Sequence, residues 1–376
     1  MEKPVIISAL RSPLCKAFKG GFIDVRVDDI CVHLIKESLA RIPNLDPKLI
    51  EDVIIGCAMP EGEQGLNVAR NIGLLAGLPF SAGGVTINRF CGSSLSAINQ
   101  AAQAIMVGNG DIFIAGGVES MSHVPMGGFN PSLNDKLMKD GAPAAYIGMG
   151  ETAENVAKKH GISREDQDKF SLQSHQKAVK AIKEGKFKNE IVPFNGIDTD
   201  EGPRADTSIE KLAALKPAFI EKGTVTAGNS SQVTDGAAVT ILMSAKMAKK
   251  LKIKPIARIV SMAVAGCDPS TMGEGPIFAI PKALKRAKMK LKDIDLIELN
   301  EAFAAQSIAV VRNLGIDEKI LNIHGGAIAL GHPLGATGAR IMATLISAMK
   351  QYNKSVGLET MCVGGGQGVA TIVEQV

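Results

Sequence analysis

The chain has 376 residues, 45% of them hydrophobic and 21% charged, an ordinary globular composition long enough for two or three domain-sized cores. Its 42 basic and 38 acidic residues leave a net charge of +4, too balanced for a nucleic-acid surface, and 2 Tyr with no Trp offer no stacking platform for bases. Six scattered cysteines, none as Cys-x-x-Cys, match neither a zinc pattern nor a disulfide framework, and no stretch approaches the ~20 apolar residues that span a bilayer. These features predict a cytoplasmic protein with no metal, no nucleic-acid partner and no transmembrane segment.

Val5 to Ser8 reads as a strand so near the start that no leader peptide is expected. A helix over 28–41, a strand over 53–56 and a helix over 68–76 follow. Val85 to Ile87 is a short β-type run that stops at a turn, and behind the turn Leu95, Ile98, Ala102 and Ile105 fall on one helical face. Cys91 sits at that junction, before Gly92, Ser93 and Ser94. Unpaired N–H groups and a helix N-terminus aimed at the sulfur favour thiolate over thiol. A buried structural cysteine is the competing reading at this point. The strand 112–115 then ends at Gly116-Gly117. This alternation predicts an α/β layered unit with a largely parallel sheet.

From about Met121 to Ser231 the texture changes. Met, Gly and Pro cluster over 121–131, helices are predicted over 151–160 and 164–184, 193–204 reads as loop, and Lys216-Pro217 as a boundary. Such an excursion commonly carries ligand contacts. From Ala237 the α/β rhythm resumes with a weak internal repeat. Residues 51–56 resemble 293–298, 111–117 resemble 357–365, and the Cys91 turn has its counterpart in 325–333. Two duplicated halves would bring distant turns around one cleft; coincidence among short apolar runs is the alternative.

Three later stretches carry chemistry. Glu298-Leu-Asn-Glu-Ala-Phe-Ala-Ala305 predicts a strand ending at Asn300 and a helix that Asn300 caps. Gly331-His-Pro-Leu-Gly-Ala-Thr-Gly-Ala-Arg340 holds His332 in a glycine-rich turn before a helix with Ile341, Leu345 and Ala348 on its apolar face. No Gly-Lys-Ser/Thr follows, so this is not a Walker phosphate cradle. Thr360-Met-Cys-Val-Gly-Gly-Gly-Gln-Gly368 is a strand with Cys362 near its end and then backbone free to approach a ligand. A dinucleotide-binding oxidoreductase is excluded because no Gly-x-Gly-x-x-Gly follows the first strand.

Two thiols, an imidazole and an amide, all beside glycine turns, form a rare combination. Asn88-Arg-Phe-Cys-Gly-Ser-Ser94, Asn300-Glu-Ala-Phe-Ala304, the block 326–340 and Cys362-Val-Gly-Gly-Gly-Gln-Gly368 resemble the four signature blocks of the thiolase family. Thr224-Val-Thr-Ala-Gly-Asn-Ser-Ser231 resembles a fifth, and the likeness runs from Val5 to the C-terminus. The resemblance implies an α/β fold of five αβαβα layers: an N-terminal half (1–120 and 234–255), an inserted loop domain for CoA and substrate (121–233) and a similar C-terminal half (256–376). It implies thiolysis of a 3-ketoacyl-CoA by CoA, or the reverse Claisen condensation, in fatty-acid β-oxidation. CoA is then a co-substrate, with no permanently bound cofactor.

By the same resemblance Cys91 is the acylated nucleophile, His332 its base, and Cys362 the acid/base at the α-carbon. His332 and a water on Asn300 form one oxyanion hole; the N–H groups of Cys91 and Gly364 form another. Ser231 and Arg204 match CoA contacts, and Met149 and Met272 match methionines lining the acyl site. Acetoacetyl-CoA-specific members carry a histidine where this chain has Gly148, and His123-Val-Pro-Met126 looks like the fatty-acid-degrading members. The expectation is therefore a 3-ketoacyl-CoA thiolase, with an acetoacetyl-CoA enzyme as the alternative and a catalytically silent lipid- or CoA-binding member more remote. Ketoacyl-ACP synthases on the same fold lack the second cysteine. A homodimer or homotetramer, and a hydratase/dehydrogenase partner subunit, are implied only by the likeness.

Overall fold

The polypeptide is built twice over on one strand plan. The computed structural model describes residues 2–376. Its strands are β1 (Pro4–Arg11), β2 (Cys15–Lys16), β3 (Asp52–Gly56), β4 (Val85–Ile87), β5 (Ile112–Glu119), β6 (Thr234–Ser244), β7 (Ala257–Gly266), β8 (Leu296–Leu299), β9 (Val356–Val363) and β10 (Gln367–Gln375). Its helices are α1 (Val27–Ala40), α2 (Val68–Leu75), α3 (Ser93–Val107), α4 (Met149–Lys159), α5 (Arg164–Lys183), α6 (Ile209–Ala213), α7 (Ala245–Leu251), α8 (Gly275–Ala287), α9 (Ala304–Leu314), α10 (Ala327–Leu330) and α11 (Thr337–Gln351).

The strands run in the order β4-β3-β5-β6-β1-β7-β10-β9-β8, with β2 on the side of β6. In the first half β3 lies parallel to β4 and β5, and β6 then pairs antiparallel with both β5 and β1. The second half repeats this: β8 is parallel to β9, and β10 is antiparallel to both β9 and β7. A parallel bridge from Ile297 to Leu321 stands where β4 stands in the first half. The halves meet where β1 and β7 pair at Val5–Arg258 and Ile6–Ala257. The internal repeat read from the sequence is thus present, but the sheet is mixed rather than largely parallel. Strands buried on both faces show continuous apolar runs whichever way they point, so the pattern carried no direction.

Alternation along each strand sorts the side chains into layers. Val53 and Ile55 of β3 and Ile112 and Ile114 of β5 face α1 and α2 in one outer core. Ile54, Phe113 and Ala115 face the opposite way, into a central core where α3 and α11 lie between the two halves of the sheet. Leu95, Ile98, Ala102 and Ile105, the predicted stripe of α3, are all fully buried there beside Ile341 and Leu345 of α11. The two helices touch at Gly338, where a Cβ would lie 2.3 Å from the Leu95 nitrogen. A third core sets α8 and α9 on the far face of the second half. The order is therefore α, β, α, β, α. The predicted helices over 151–160 and 164–184 are α4 and α5; α4 packs on α9, and α5 on α9 and α10.

One boundary differs. The helix after β8 starts at Ala304 with Phe303 in the capping position, not at Asn300. The Asn300 side chain turns to His332 instead, so a tertiary partner displaces the local cap.

The halves are bolted together at the end of β5. Glu119 is buried, and its carboxylate accepts the N–H groups of Ala58 (2.8 Å), Met59 (3.2 Å) and Gly335 (2.7 Å) and the Nε2 amide of Gln64 (2.8 Å). Gly335 comes from the second half, 216 positions away. Glu119→Ala strands three buried N–H donors. It is expected to lower unfolding stability by about 3 kcal/mol or more. Urea unfolding that leaves the midpoint where it is would rule out this bolt as a major contributor.

Candidate active site

The single turn Phe90–Gly92 carries the first thiol. Phe90 adopts a left-handed backbone (φ 42°), uncommon for an aromatic residue and typical of strained functional turns. It is held there by short local bonds. The Phe90 N–H donates to Asn88 Oδ1 (2.8 Å), and Ser93 Oγ donates to the Phe90 carbonyl (2.7 Å) while accepting the Arg89 N–H (2.8 Å). Gly92 is required because a Cβ there would press to 2.9 Å on Val363.

Cys91 lies buried at the foot of α3. Burial pushes its thiol up to about 12, although the nearby backbone N–H groups of Cys91 and Gly364 oppose the shift. The local expectation of a thiolate is therefore corrected. The helix end and two amides supply less stabilisation than the charge loses on leaving water. Cys362, near the end of β9, is fully buried. Its thiol is also raised, first by desolvation and next by the nearby Cys91.

His332 enters from the second half. The turn of Cys91 packs against Leu334–Ala336, just beyond the histidine. Its backbone N–H donates to the Gln232 carbonyl and to Thr234 Oγ1, both at 3.1 Å. The ring's tautomer follows from counting protons. Thr337 Oγ1 donates to the Pro333 carbonyl (2.9 Å), which can only accept, so at 2.6 Å from His332 Nδ1 it must accept from the ring. The proton is on Nδ1. Nε2 is then an acceptor, facing the Asn300 Nδ2 amide at 3.3 Å. Burial, helped by the Arg340 charge, pushes His332 down to about 3, so the ring is neutral at physiological pH. Asn300 Oδ1 is buried without a partner among the described residues.

Glu301, next to Asn300, holds the other end of the His332 loop. Its carboxylate accepts Ser174 Oγ (2.6 Å), Asn322 Nδ2 (2.8 Å) and the Ile328 N–H (3.2 Å). The wall beside Cys362 is apolar: Ala153, Val225, Met272, Ala302 and Phe303 pack around it with Met149. A Cβ on Gly364 would come 3.4 Å from the Phe90 ring and 3.6 Å from Met149 Sδ.

The fold thus gathers Cys91, Cys362, Gly364, Met149 and Met272, with His332 and Asn300 as a bonded pair. Ser231 adjoins them, donating its N–H to the Ala302 carbonyl at 2.9 Å. Arg204 does not join them. It is exposed on its loop and lines a cavity of about 410 Å³ along α5, with His175, Gln176 and Lys180. Sequence reasoning missed Phe90, Glu119, Glu301 and Thr337. Thr337 and Glu301 stood inside quoted motifs; the partners of Glu301 arrive through the fold, whereas those of Thr337, His332 and Pro333, lie in the same motif. Among the described residues no group of three or more His, Cys, Asp and Glu is arranged to hold a metal ion, and no helix is long and apolar enough to cross a membrane.

Comparison with known proteins agrees with this geometry. Residues 4–246 match the family described as "Thiolase, N-terminal domain", and residues 253–375 match "Thiolase, C-terminal domain". The chain is similar to the 3-ketoacyl-CoA thiolase of Marinomonas sp. (strain MWYL1), 52% identical over 99% of this chain and 98% of that protein. It is also similar to the 3-ketoacyl-CoA thiolase of Bacillus subtilis (strain 168), 51% identical over the whole of both chains. Among solved structures it is similar to the Bacillus anthracis acetyl-CoA acetyltransferase, with a TM-score of 0.91, 41% identity, and coverage of 100% of this chain and 99% of that one. With both halves matched in order and two buried thiols meeting at their junction, the chain belongs to the thiolase family.

Proposed function

We propose that this protein is an acyltransferase that cleaves 3-ketoacyl-CoA with CoA, through an acyl-cysteine, to acetyl-CoA and a shortened acyl-CoA. The observation that carries the reading is the set at the junction: a neutral histidine whose Nε2 is an acceptor paired with Asn300, and two buried thiols beside the backbone N–H groups of Cys91 and Gly364. The matched relatives named 3-ketoacyl-CoA thiolase support it. The likeness to an acetyl-CoA acetyltransferase favours a second reading, action on the four-carbon acetoacetyl-CoA. Gly148, in place of the histidine of acetoacetyl-specific members, weighs toward the first.

In this reading Cys91 Sγ attacks the 3-keto carbon and its proton passes to His332 Nε2. A thiol raised to about 12 needs such a base, and a histidine lowered to about 3 holds that proton only while charge builds on substrate oxygen. When the Cα–Cβ bond breaks, negative charge moves to the thioester oxygen of the departing fragment. His332 Nε2–H and a water on Asn300 Oδ1 hold that oxygen, and Cys362 protonates the carbon. The acyl group is left on Cys91, its carbonyl oxygen taking the N–H groups of Cys91 and Gly364. CoA, deprotonated by Cys362, attacks the thioester, and the departing Cys91 sulfur takes back the proton held on His332, restoring the neutral pair. Losing one such oxyanion donor typically costs about 3–4 kcal/mol of transition-state stabilisation.

The same reading takes residues 121–233 as the loop domain that binds CoA, with Ser231 and Arg204 as its contacts and Met149 and Met272 lining the acyl slot. It includes a place in fatty-acid degradation, a cytoplasmic location, a homodimer or homotetramer, and association with a hydratase/dehydrogenase subunit.

The decisive test is thiolysis on a ladder of 3-ketoacyl-CoAs. Turnover extending well beyond four carbons is expected, and turnover confined to the four-carbon member would select the acetoacetyl-CoA reading. Intact-protein mass spectrometry with an acyl-CoA should show that Cys91→Ala takes up no acyl group. Cys362→Ala should acylate yet lose about 10²–10⁴-fold in turnover; an unacylated Cys362→Ala would reverse the two roles. The resting neutral pair also predicts how Cys91 reacts. Its alkylation by iodoacetamide, read at the Cys91 peptide, should climb about tenfold per pH unit between pH 6 and 9. A plateau already reached at pH 6 would instead mean a preformed thiolate.

A further inference from the structure

The two methionines beside Cys362 come from different parts of the chain. Met149 opens α4, and Met272 lies in the short helical segment Pro269–Glu274. That segment is not self-supporting, because Thr271 leaves helical geometry (φ −130°, ψ 43°) one residue before Met272. What fixes it is a carboxylate at its end. Glu274 is buried and binds the far end of α4: Lys159 Nζ donates to it at 2.8–2.9 Å and His160 Nε2 at 2.6 Å. Thr271 Oγ1 donates to the same carboxylate at 2.9 Å, bracing the kink from inside.

The histidine is itself fixed. Asn313 Nδ2, on α9, donates to His160 Nδ1 at 3.1 Å, which leaves the ring proton on Nε2 for Glu274. One turn earlier on α4, Asn155 Nδ2 donates to the Ser270 carbonyl at 2.9 Å. One face of α4 is thus riveted along the segment that presents Met272, while the first residue of the same helix is Met149. Hydrogen bonds to an ionised, poorly hydrated carboxylate are among the stronger ones, so the spacing of these elements is set here more than by the flexible methionines.

We propose that Glu274 is a positioning residue that sets acyl specificity, fixing the separation of Met149 and Met272 and so the width of the slot beside the two thiols. The inference rests on the thiolase reading. It takes the ligand to be the acyl chain of a 3-ketoacyl-CoA, which Glu274 itself never touches. Releasing the carboxylate lets α4 and the Met272 segment part, and the slot then admits longer and α-branched chains.

The test uses Glu274→Gln, which keeps the volume but turns an amide N–H₂ toward the donors, and Lys159→Met, which removes one donor from a half-exposed position. Steady-state thiolysis is measured on straight and α-methyl-branched 3-ketoacyl-CoAs from four carbons upward. For Glu274→Gln the ratio of kcat/KM on longer or branched chains to that on the four-carbon substrate should rise about tenfold, the scale on which a pocket discriminates a methylene. The change should lie in KM, with the kcat ratio constant, which a loss of folded protein cannot produce. Lys159→Met should move the ratio the same way by less. Thiolysis with unchanged ratios in both variants overturns the role of Glu274. No thiolysis by the unmodified protein on any member overturns the reading beneath it instead.

Discussion

Everything at the junction depends on a loop that has almost no regular structure of its own. Between the Leu321 bridge and α11 the chain makes only the four-residue α10 and one short turn, yet it must hold an imidazole to a fraction of an ångström. Two buried carboxylates do this, one from each half. Glu301 takes the Ile328 N–H directly, and the Gly326 N–H through Ser174 Oγ, while Glu119 takes the Gly335 N–H. His332 lies between these anchors. Both carboxyls are raised above the usual range by desolvation, which exceeds the lowering by their hydrogen bonds. The anchors thus carry a desolvation cost, and removing either leaves backbone donors stranded in the interior.

That dry surrounding also sets the character of the proposed acid–base set. Water excluded by the central core and the apolar wall raises both thiols and lowers the histidine, so all three sit in their neutral forms at rest. A Cys–His ion pair would hold a charge in the site before any substrate arrived. A neutral pair develops charge only as the carbonyl accepts it, when the fixed N–H donors act on it at low dielectric. The unpartnered Asn300 Oδ1 and the Nδ1 proton fixed by Thr337 belong to the same arrangement.

Much of this was legible in the chain. The layered α/β plan showed in alternating apolar runs, and the duplication in the likeness of β3 to β8 and of β5 to β9. Cys91, His332 and Cys362 stood out in the chain as thiols and an imidazole beside glycine turns. Strand direction was not legible, since β6 returns antiparallel only after the long excursion. Asn300 is a good cap by every local rule, but it serves His332, 32 positions away. The charge state of Cys91 was misread for a related reason: the helix end is a local term visible in sequence, whereas the packing of its turn against β9 and the loop of His332 is not. Glu119 looks like an ordinary strand end until its distant partners are in place.

The paired strand plan has one more consequence. The turn that follows β4 carries Cys91, and the loop that follows the equivalent Leu321 bridge carries His332. The strand ends of β5 and β9 likewise carry Glu119 and Cys362. Two identical chains meeting on a twofold axis could offer only like groups at such positions: two thiols, two imidazoles or two carboxylates. Joining the halves in one chain, with β1 and β7 paired at their seam, breaks that equality. Each symmetric position can then hold a different functional group, thiol against imidazole in one pair and carboxylate against thiol in the other, on a single pseudo-twofold framework.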